Sequence, residues 1–256
     1  MVIKYNEYGN KEGPLLVFLH GGGVGGWMWD KQVAYFTDYH CLIPTLQGHG
    51  IRSEESSFSI TENAQEVIGL INRKKNGLKV NVVGFSIGAQ IALEMINLVP
   101  NLFHSIIINS ALVIPMKITN TFIAPSIKLS ASLIKNRTFS KIQAKQLYID
   151  DQNFERYYQD SIKMKSSTLI EMLKENLTYR LPERHNETTA RILVTVGEKE
   201  KGVMRKSAVK IAKRYSTSSL VVIPKVGHGF SFDQPELFNQ LLEEWLTNQP
   251  LTNIRI

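Results

Sequence analysis

Leu15-Leu16-Val17-Phe18-Leu19 is apolar at every position and stops against His20 and a cluster of glycines. A run this short with no polar face is what a strand covered on both sides looks like, and such strands belong to parallel sheets flanked by helices. The same description fits Cys41-Leu42-Ile43, Val80-Asn81-Val82-Val83, Ile106-Ile107-Ile108, Ile192 to Val196 and Leu220 to Ile223, so six strands are expected, with helices or loops between them. Ile87 to Ile96 reads as a buried helix, because its apolar residues recur at three- and four-residue spacing on more than one face. Leu237, Phe238, Leu241, Leu242 and Trp245 mark a terminal amphipathic helix that begins just after Pro235. The expected fold class is therefore α/β: an open, mostly parallel sheet with helices on both faces and loops at the carboxyl ends of the strands free to build a site.

The alternation breaks once. Between Leu112 and Thr188 no strand is evident, and helices are expected at 126–135, 140–149, 153–164 and 168–176. A helical insertion of this size is most simply a lid over the carboxyl edge of the sheet. It divides the chain into a core of residues 1–111 and 189–256 and an inserted lid of residues 112–188.

Composition narrows the class further. A chain of 256 residues that is 43% hydrophobic and 21% charged is neither disordered nor fibrous, and it can bury a full-size core. The formal net charge is +7, and residues 112–188 hold 12 Lys/Arg against 8 Asp/Glu, which reads first as a solvated helical surface and alternatively as one that attracts an anionic substrate or partner. No dense basic run with interleaved aromatics is present, so no nucleic-acid partner is expected. The single cysteine, Cys41, excludes an internal disulfide and a zinc site of several thiolates, and points to a reducing compartment. The first residues, MVIKYNEYGN, lack the features of a secretory signal. The most apolar stretch, Ser105 to Met116, is far short of the ~20 residues a membrane span requires. A cytoplasmic location without membrane attachment is expected.

Gly84-Phe85-Ser86-Ile87-Gly88 stands at the end of an expected strand and the start of an expected helix. The bare Gly-x-Ser-x-Gly pattern arises by chance about 0.1 times in a chain of this composition, so the context supplies the specificity. A sharp strand-to-helix turn forces the serine into unusual backbone geometry, and the flanking glycines let the chain pass. The helix starting at Ile87 directs free N–H groups at the serine. A glycine-bracketed N-cap serine is the plainer alternative. His20-Gly21-Gly22-Gly23, directly after the first apolar run, offers N–H groups able to stabilise an oxyanion, or else a simple turn. Although Gly21 to Gly26 contains a Gly-x-Gly-x-x-Gly spacing, Pro44 and Thr45 stand where a dinucleotide site needs an acid, and no Gly-Lys-Ser/Thr phosphate loop exists.

A nucleophilic serine needs a base. Of the six histidines, His228 follows the last strand and emerges at the same edge as Ser86. His20 and His49 share that edge beside glycine turns that suit a structural hydrogen-bonding role. His40 and His104 precede strands on the opposite edge, and His185 lies in the insertion. The base needs an acid to fix its tautomer. Gly197-Glu198-Lys199-Glu200 ends the strand at Ile192 to Val196; Glu200 is favoured, Glu198 is the alternative, and a distant carboxylate such as Asp151 stays open. Trp27, Trp29 and Phe85 flank the site in sequence and suggest an apolar acyl pocket with Gly21 and Gly23, although core packing suits at least one of the three aromatics better.

In this order, His20-Gly21-Gly22-Gly23, Gly48-His49-Gly50, Gly84-Phe85-Ser86-Ile87-Gly88, Gly197 to Glu200 and Gly227-His228 resemble the α/β-hydrolase fold over nearly the whole chain. The resemblance implies Ser86 as nucleophile, His228 as base, the N–H groups of Gly22 and Ile87 as the oxyanion hole, and residues 112–188 as the cap domain. It implies a serine hydrolase of small or medium carboxylic esters, lactones or related acyl compounds, carboxylesterase-like, with no metal or organic cofactor. The partner expected is a small-molecule acyl substrate, and the chain a monomer or homodimer. Two departures stand out: the family usually has aspartate where Glu200 stands, and an aspartate where Thr45 or Leu46 stands. The rival readings are a C–C bond hydrolase, a lyase or an acyltransferase on the same triad, a non-catalytic ligand-binding member of the fold, and an interaction module using the basic cap. A serine at position 86 argues against haloalkane dehalogenases and epoxide hydrolases, which resemble this fold but use aspartate there.

Overall fold

A computed structural model describes residues 3–75, 77–116, 133, 136–182 and 187–251. Seven strands form one sheet: β1 (Tyr5–Gly9), β2 (Leu15–Leu19), β3 (His40–Pro44), β4 (Val80–Phe85), β5 (Ser105–Asn109), β6 (Arg191–Gly197) and β7 (Ser218–Ile223). They lie in the order β1-β3-β2-β4-β5-β6-β7. All neighbours are parallel except β1, which runs antiparallel to β3 with Tyr5 opposite Pro44.

The six expected strands are present: β2 coincides with its apolar run, and each of the other five is two residues longer. The addition is β1, a half-exposed edge strand whose Tyr5-Asn6-Glu7-Tyr8 alternation lacks a continuous apolar run. Edge strands need only one apolar face, so they escape a search for strands buried on both sides.

The helices are α1 (Asp30–Tyr35), α2 (Ile60–Lys74), α3 (Ile87–Leu98), α4 (Arg137–Gln146), α5 (Asp151–Lys163), α6 (Ser166–Thr178), α7 (Gly202–Arg214), α8 (Phe230–Asp233) and α9 (Pro235–Leu246). They cover the sheet on two faces. Leu15, Val17 and Leu19 of β2 pack in one cluster with Val67 and Leu70 of α2, Ile91 and Met95 of α3 and Ile211 of α7. Leu16 and Phe18 join the other with Trp29, Phe36, Phe238 and Leu242. Each such fully buried side chain contributes about 1.5–3 kcal/mol.

Between β5 and β6 the described residues form helices and no strand, as expected. Asn136 caps α4 by accepting from the N–H groups of Thr138 and Phe139, and Asp150 caps α5 by accepting from Asn153. The helix expected at 126–135 lies outside the described residues except for Leu133, which is helical. His185 also lies outside them. Among the described residues no helix is long and apolar enough to cross a membrane.

The strand order fixes where a site can form. After β2 the chain moves outward to β3, then returns across β2 to β4 and continues the other way. The loops after β2 and β4 therefore part at a reversal point, where open α/β sheets present a crevice.

Candidate active site

Ser86 follows β4 with φ 55°, a left-handed value rare for a residue other than glycine. The two flanking glycines make the turn possible by close approach. A Cβ on Gly84 would fall on the backbone of Gly88 and Ala89, and one on Gly88 on the carbonyl oxygens of Leu19 and His20. The Ser86 N–H donates to the Asn109 carbonyl at 2.9 Å, and its own carbonyl accepts from Ala89 and Gln90 at the start of α3.

His228 reaches Ser86 from the loop after β7, with Nε2 3.1 Å from Oγ. Its Nδ1 lies 2.8 Å from Oε2 of Glu200. A carboxylate accepts, so Nδ1 carries the proton and Nε2 is left bare to accept from the serine hydroxyl. The Glu200 side chain is 2% exposed. Its other oxygen, Oε1, accepts from the Ser110 hydroxyl at 2.7 Å and the Gly197 N–H at 2.9 Å. Burial pushes this carboxyl up, but the bond to His228, its positive charge when protonated, and the Ser110 and Gly197 donors outweigh burial, so the net direction is down.

The other acid candidates lie elsewhere. Glu198 is exposed, and its Oε2 accepts from the Lys225 N–H at 2.8 Å. Asp151 is exposed at the start of α5, 3.4 Å from Lys141.

The glycine loop after β2 is braced by two neutral histidines. His20 donates from Nδ1 to the Gly21 carbonyl and accepts at Nε2 from Leu46 N–H. His49 donates from Nδ1 to the Gln47 carbonyl and accepts at Nε2 from Gly23 N–H. Burial drives His20 down to about 3 and His49 down to about 4. Of the three glycine N–H groups, that of Gly21 points to Met28 Sδ and that of Gly23 to His49. Those of Gly22 and Ile87 have no acceptor among the described residues. The two residues are neighbours: a Cβ on Gly22 would lie 3.7 Å from Ile87 Cγ2.

A cavity of about 460 Å³ opens above this loop. His228, Gly22 and Gly23 form its floor; Met164, Leu169, Met172 and Leu173 form an apolar wall, and Gln143, Gln146, Tyr157 and Ser161 a polar one. These residues sit on or beside α4, α5 and α6. Only their helical spacing, such as Gln143 with Gln146 and Leu169 with Met172 and Leu173, hinted at a shared face. Nothing in the sequence says that the face turns toward Ser86. Ser110, too, escaped the sequence reading, because a serine after a strand has no distinguishing pattern.

Three aromatic expectations need correction. Trp29 is fully buried in the core between Phe18 and Phe238, with ring centroids 5.1 and 5.9 Å away, and is not among the residues that line this cavity. Trp27 ties α5 to the core, donating from Nε1 to Asp160 Oδ2 at 2.8 Å with Arg156 over its ring. Phe85 is buried, its ring 4.9 Å from that of His228, and supports the base from beside. Gly21 packs on the Phe85 ring and does not line the cavity, whereas Gly23 does. His40 is paired with Glu7 at 2.6 Å, far along the sheet from Ser86. Among the described residues no group of three or more His, Cys, Asp or Glu side chains is placed to hold a metal ion.

Comparison with known proteins bears on the family and the fold. The model of the alpha/beta hydrolase family matches residues 16–241. An AB hydrolase superfamily protein of Gibberella zeae is 29% identical over 102 residues, 39% of this chain and 36% of that protein, so the chain matches little more than a third of that relative's length. The AB hydrolase superfamily protein YfhM of Bacillus subtilis is 24% identical over 94% of this chain and 93% of its own. An esterase from Exiguobacterium antarcticum shares the fold with a TM-score of 0.76 at 19% identity, covering 96% of this chain and 95% of that one.

Proposed function

Because the chain belongs to the alpha/beta hydrolase family, we propose that it is a serine hydrolase of small or medium carboxylic esters, lactones or related acyl compounds, with Ser86, His228 and Glu200 as its triad. The observation that carries this reading is the unbroken chain of hydrogen bonds from Ser86 Oγ through both ring nitrogens of His228 to the buried carboxylate of Glu200. The non-catalytic reading drew its strength from doubt over the acid, and this contact weighs against it.

In the first half-reaction Ser86 Oγ attacks the carbonyl carbon while His228 Nε2 takes its proton. The carbonyl oxygen, now an oxyanion, accepts from the N–H groups of Gly22 and Ile87, each donor of this kind being worth about 10²–10³ in rate. Glu200 stabilises the imidazolium without becoming protonated itself. Collapse breaks the bond to the leaving alkoxide, which takes the proton from His228. Water then attacks the acyl-enzyme with His228 again as base, releasing the acid and restoring Ser86. Residues 112–188 act as the lid, and their apolar wall of Met164, Leu169, Met172 and Leu173 suits an acyl chain.

The test is labelling by a fluorophosphonate with the adduct mapped by mass spectrometry, alongside turnover of p-nitrophenyl acetate and butyrate. Wild type is expected to label at Ser86 and turn over both esters, and Ser86→Ala to lose both properties. No adduct at Ser86 and no Ser86-dependent turnover would refute the reading.

A further inference from the structure

Asn109, the last residue of β5, and Ser110, the next, touch the serine and the acid of the site. The Asn109 carbonyl accepts the N–H of Ser86 at 2.9 Å, and the next residue, Ser110, places its hydroxyl 2.7 Å from Oε1 of Glu200. Ser110 is buried and holds φ 59°, a left-handed conformation that a non-glycine residue adopts at a cost. Its backbone is fixed there by donation of its N–H to the Thr195 carbonyl at 2.9 Å.

We propose that Ser110 is the positioning residue that allows a glutamate to serve at position 200, holding Oε1 so that Oε2 meets His228. This rests on the triad reading given above. A glutamate has one more rotatable bond than an aspartate, so a single donor leaves its carboxylate free to swing about that contact. The Gly197 N–H alone would be such a donor, at 2.9 Å from Oε1. Ser110 supplies a second donor to the same oxygen from a different strand, and two donors on one oxygen fix the plane of the group. Oε2 is then left for Nδ1 of His228 at 2.8 Å. His228 is the titratable group that the structure sets against Glu200. The donors facing it from β5 and β6 are the neutral Ser110 hydroxyl and Gly197 N–H. Ser110 touches no reacting atom and acts through Glu200.

Two variants remove the hydroxyl. Ser110→Ala keeps a Cβ in the left-handed conformation, and Ser110→Gly relieves that strain, so a fault in folding would separate them while a missing hydroxyl would not. The titration of the Glu200 carboxyl, followed by NMR with carboxyl-labelled glutamate, is expected to move up by about one pH unit in both variants. Turnover of p-nitrophenyl butyrate is expected to fall about tenfold in kcat with KM unchanged. A Glu200 midpoint at the wild-type value in both variants overturns the proposal, as does wild-type kcat in both. The titration needs no turnover. If Ser86 proves unreactive to the fluorophosphonate, the hydrolase reading falls and the carboxyl midpoint still decides on Ser110.

Discussion

Glu198 and Glu200 are two residues apart on the same turn, and their surroundings are opposite. Glu200 is buried against His228, Ser110 and Gly197, whereas Glu198 is exposed and accepts from the Lys225 N–H. Glu200→Gln would keep the shape but favour the wrong histidine tautomer, since an amide that donates to Nδ1 takes away the acceptor that holds the proton there. Turnover of p-nitrophenyl esters by Glu200→Gln is expected to fall by about 10²-fold or more, and by Glu198→Gln to stay within about twofold. Equal, near-wild-type rates in both would remove Glu200 from the triad. At this scale the sequence was legible where backbone geometry imposes residue identity. Gly84 and Gly88 cannot be replaced without collision, so Ser86 stood out, and His228 followed from being at the same edge. The pair of glutamates was ordered but not decided, because solvent exposure on a turn is set by what packs over it. The tryptophans misled for the same reason: Trp27 and Trp29 are neighbours in sequence, yet one is a core residue and the other a tie to α5.

Among the elements, the loops after β2 and β3 are joined by the two buried histidines. His20 accepts from Leu46 N–H, His49 accepts from Gly23 N–H, and their rings meet edge-on at 4.9 Å. Neither ring can be protonated without losing its acceptor and placing a charge in the interior. Their folded-state values of about 3 and about 4 lie below the ordinary histidine value of about 6.5 that applies in the unfolded chain. Their contribution is thus complete above about pH 6.5. As pH falls below that, the unfolded state binds protons that the folded state does not, and each histidine lowers stability by up to about 1.4 kcal/mol per pH unit. The decline continues until the folded state also protonates, near pH 4 for His49 and pH 3 for His20. Urea midpoints are expected to drop between pH 6.5 and pH 4, and less steeply in His49→Gln. Identical pH slopes for the two proteins would mean that His49 is not buried neutral. The elements themselves were legible in proportion to how completely they are covered. β2, β3, β4 and β5 are buried at every position and gave apolar runs, broken in β4 only by Asn81, whereas β1 is half exposed and gave none. The helices α2 and α7 were not singled out, since one solvated face in each dilutes the apolar signal.

Across the whole molecule the charge is not where its count along the chain first drew attention. Residues 112–188 carry an excess of four positive charges, but residues 199–214 alone hold seven Lys/Arg against one acid, the buried Glu200. Most of these cations lie on α7, where Arg205, Lys206, Lys210 and Lys213 are exposed. None of them lines the cavity, and its described lining residues include no lysine or arginine. A cation that does not face the cavity acts on a bound substrate only through solvent, where added salt screens it. The positive charge on α7 belongs to a solvated helix beside the sheet and makes no direct contact with the described lining of the cavity. The apparent KM for an ester with a free carboxylate is expected to respond to salt no more than that for its neutral methyl ester, between about 0.01 M and 1 M salt, as the Debye length shrinks from about 30 Å to about 3 Å. A KM for the anionic ester that climbs several-fold while that for the neutral ester stays flat would show that the positive field does reach the cavity and recruits anionic substrates.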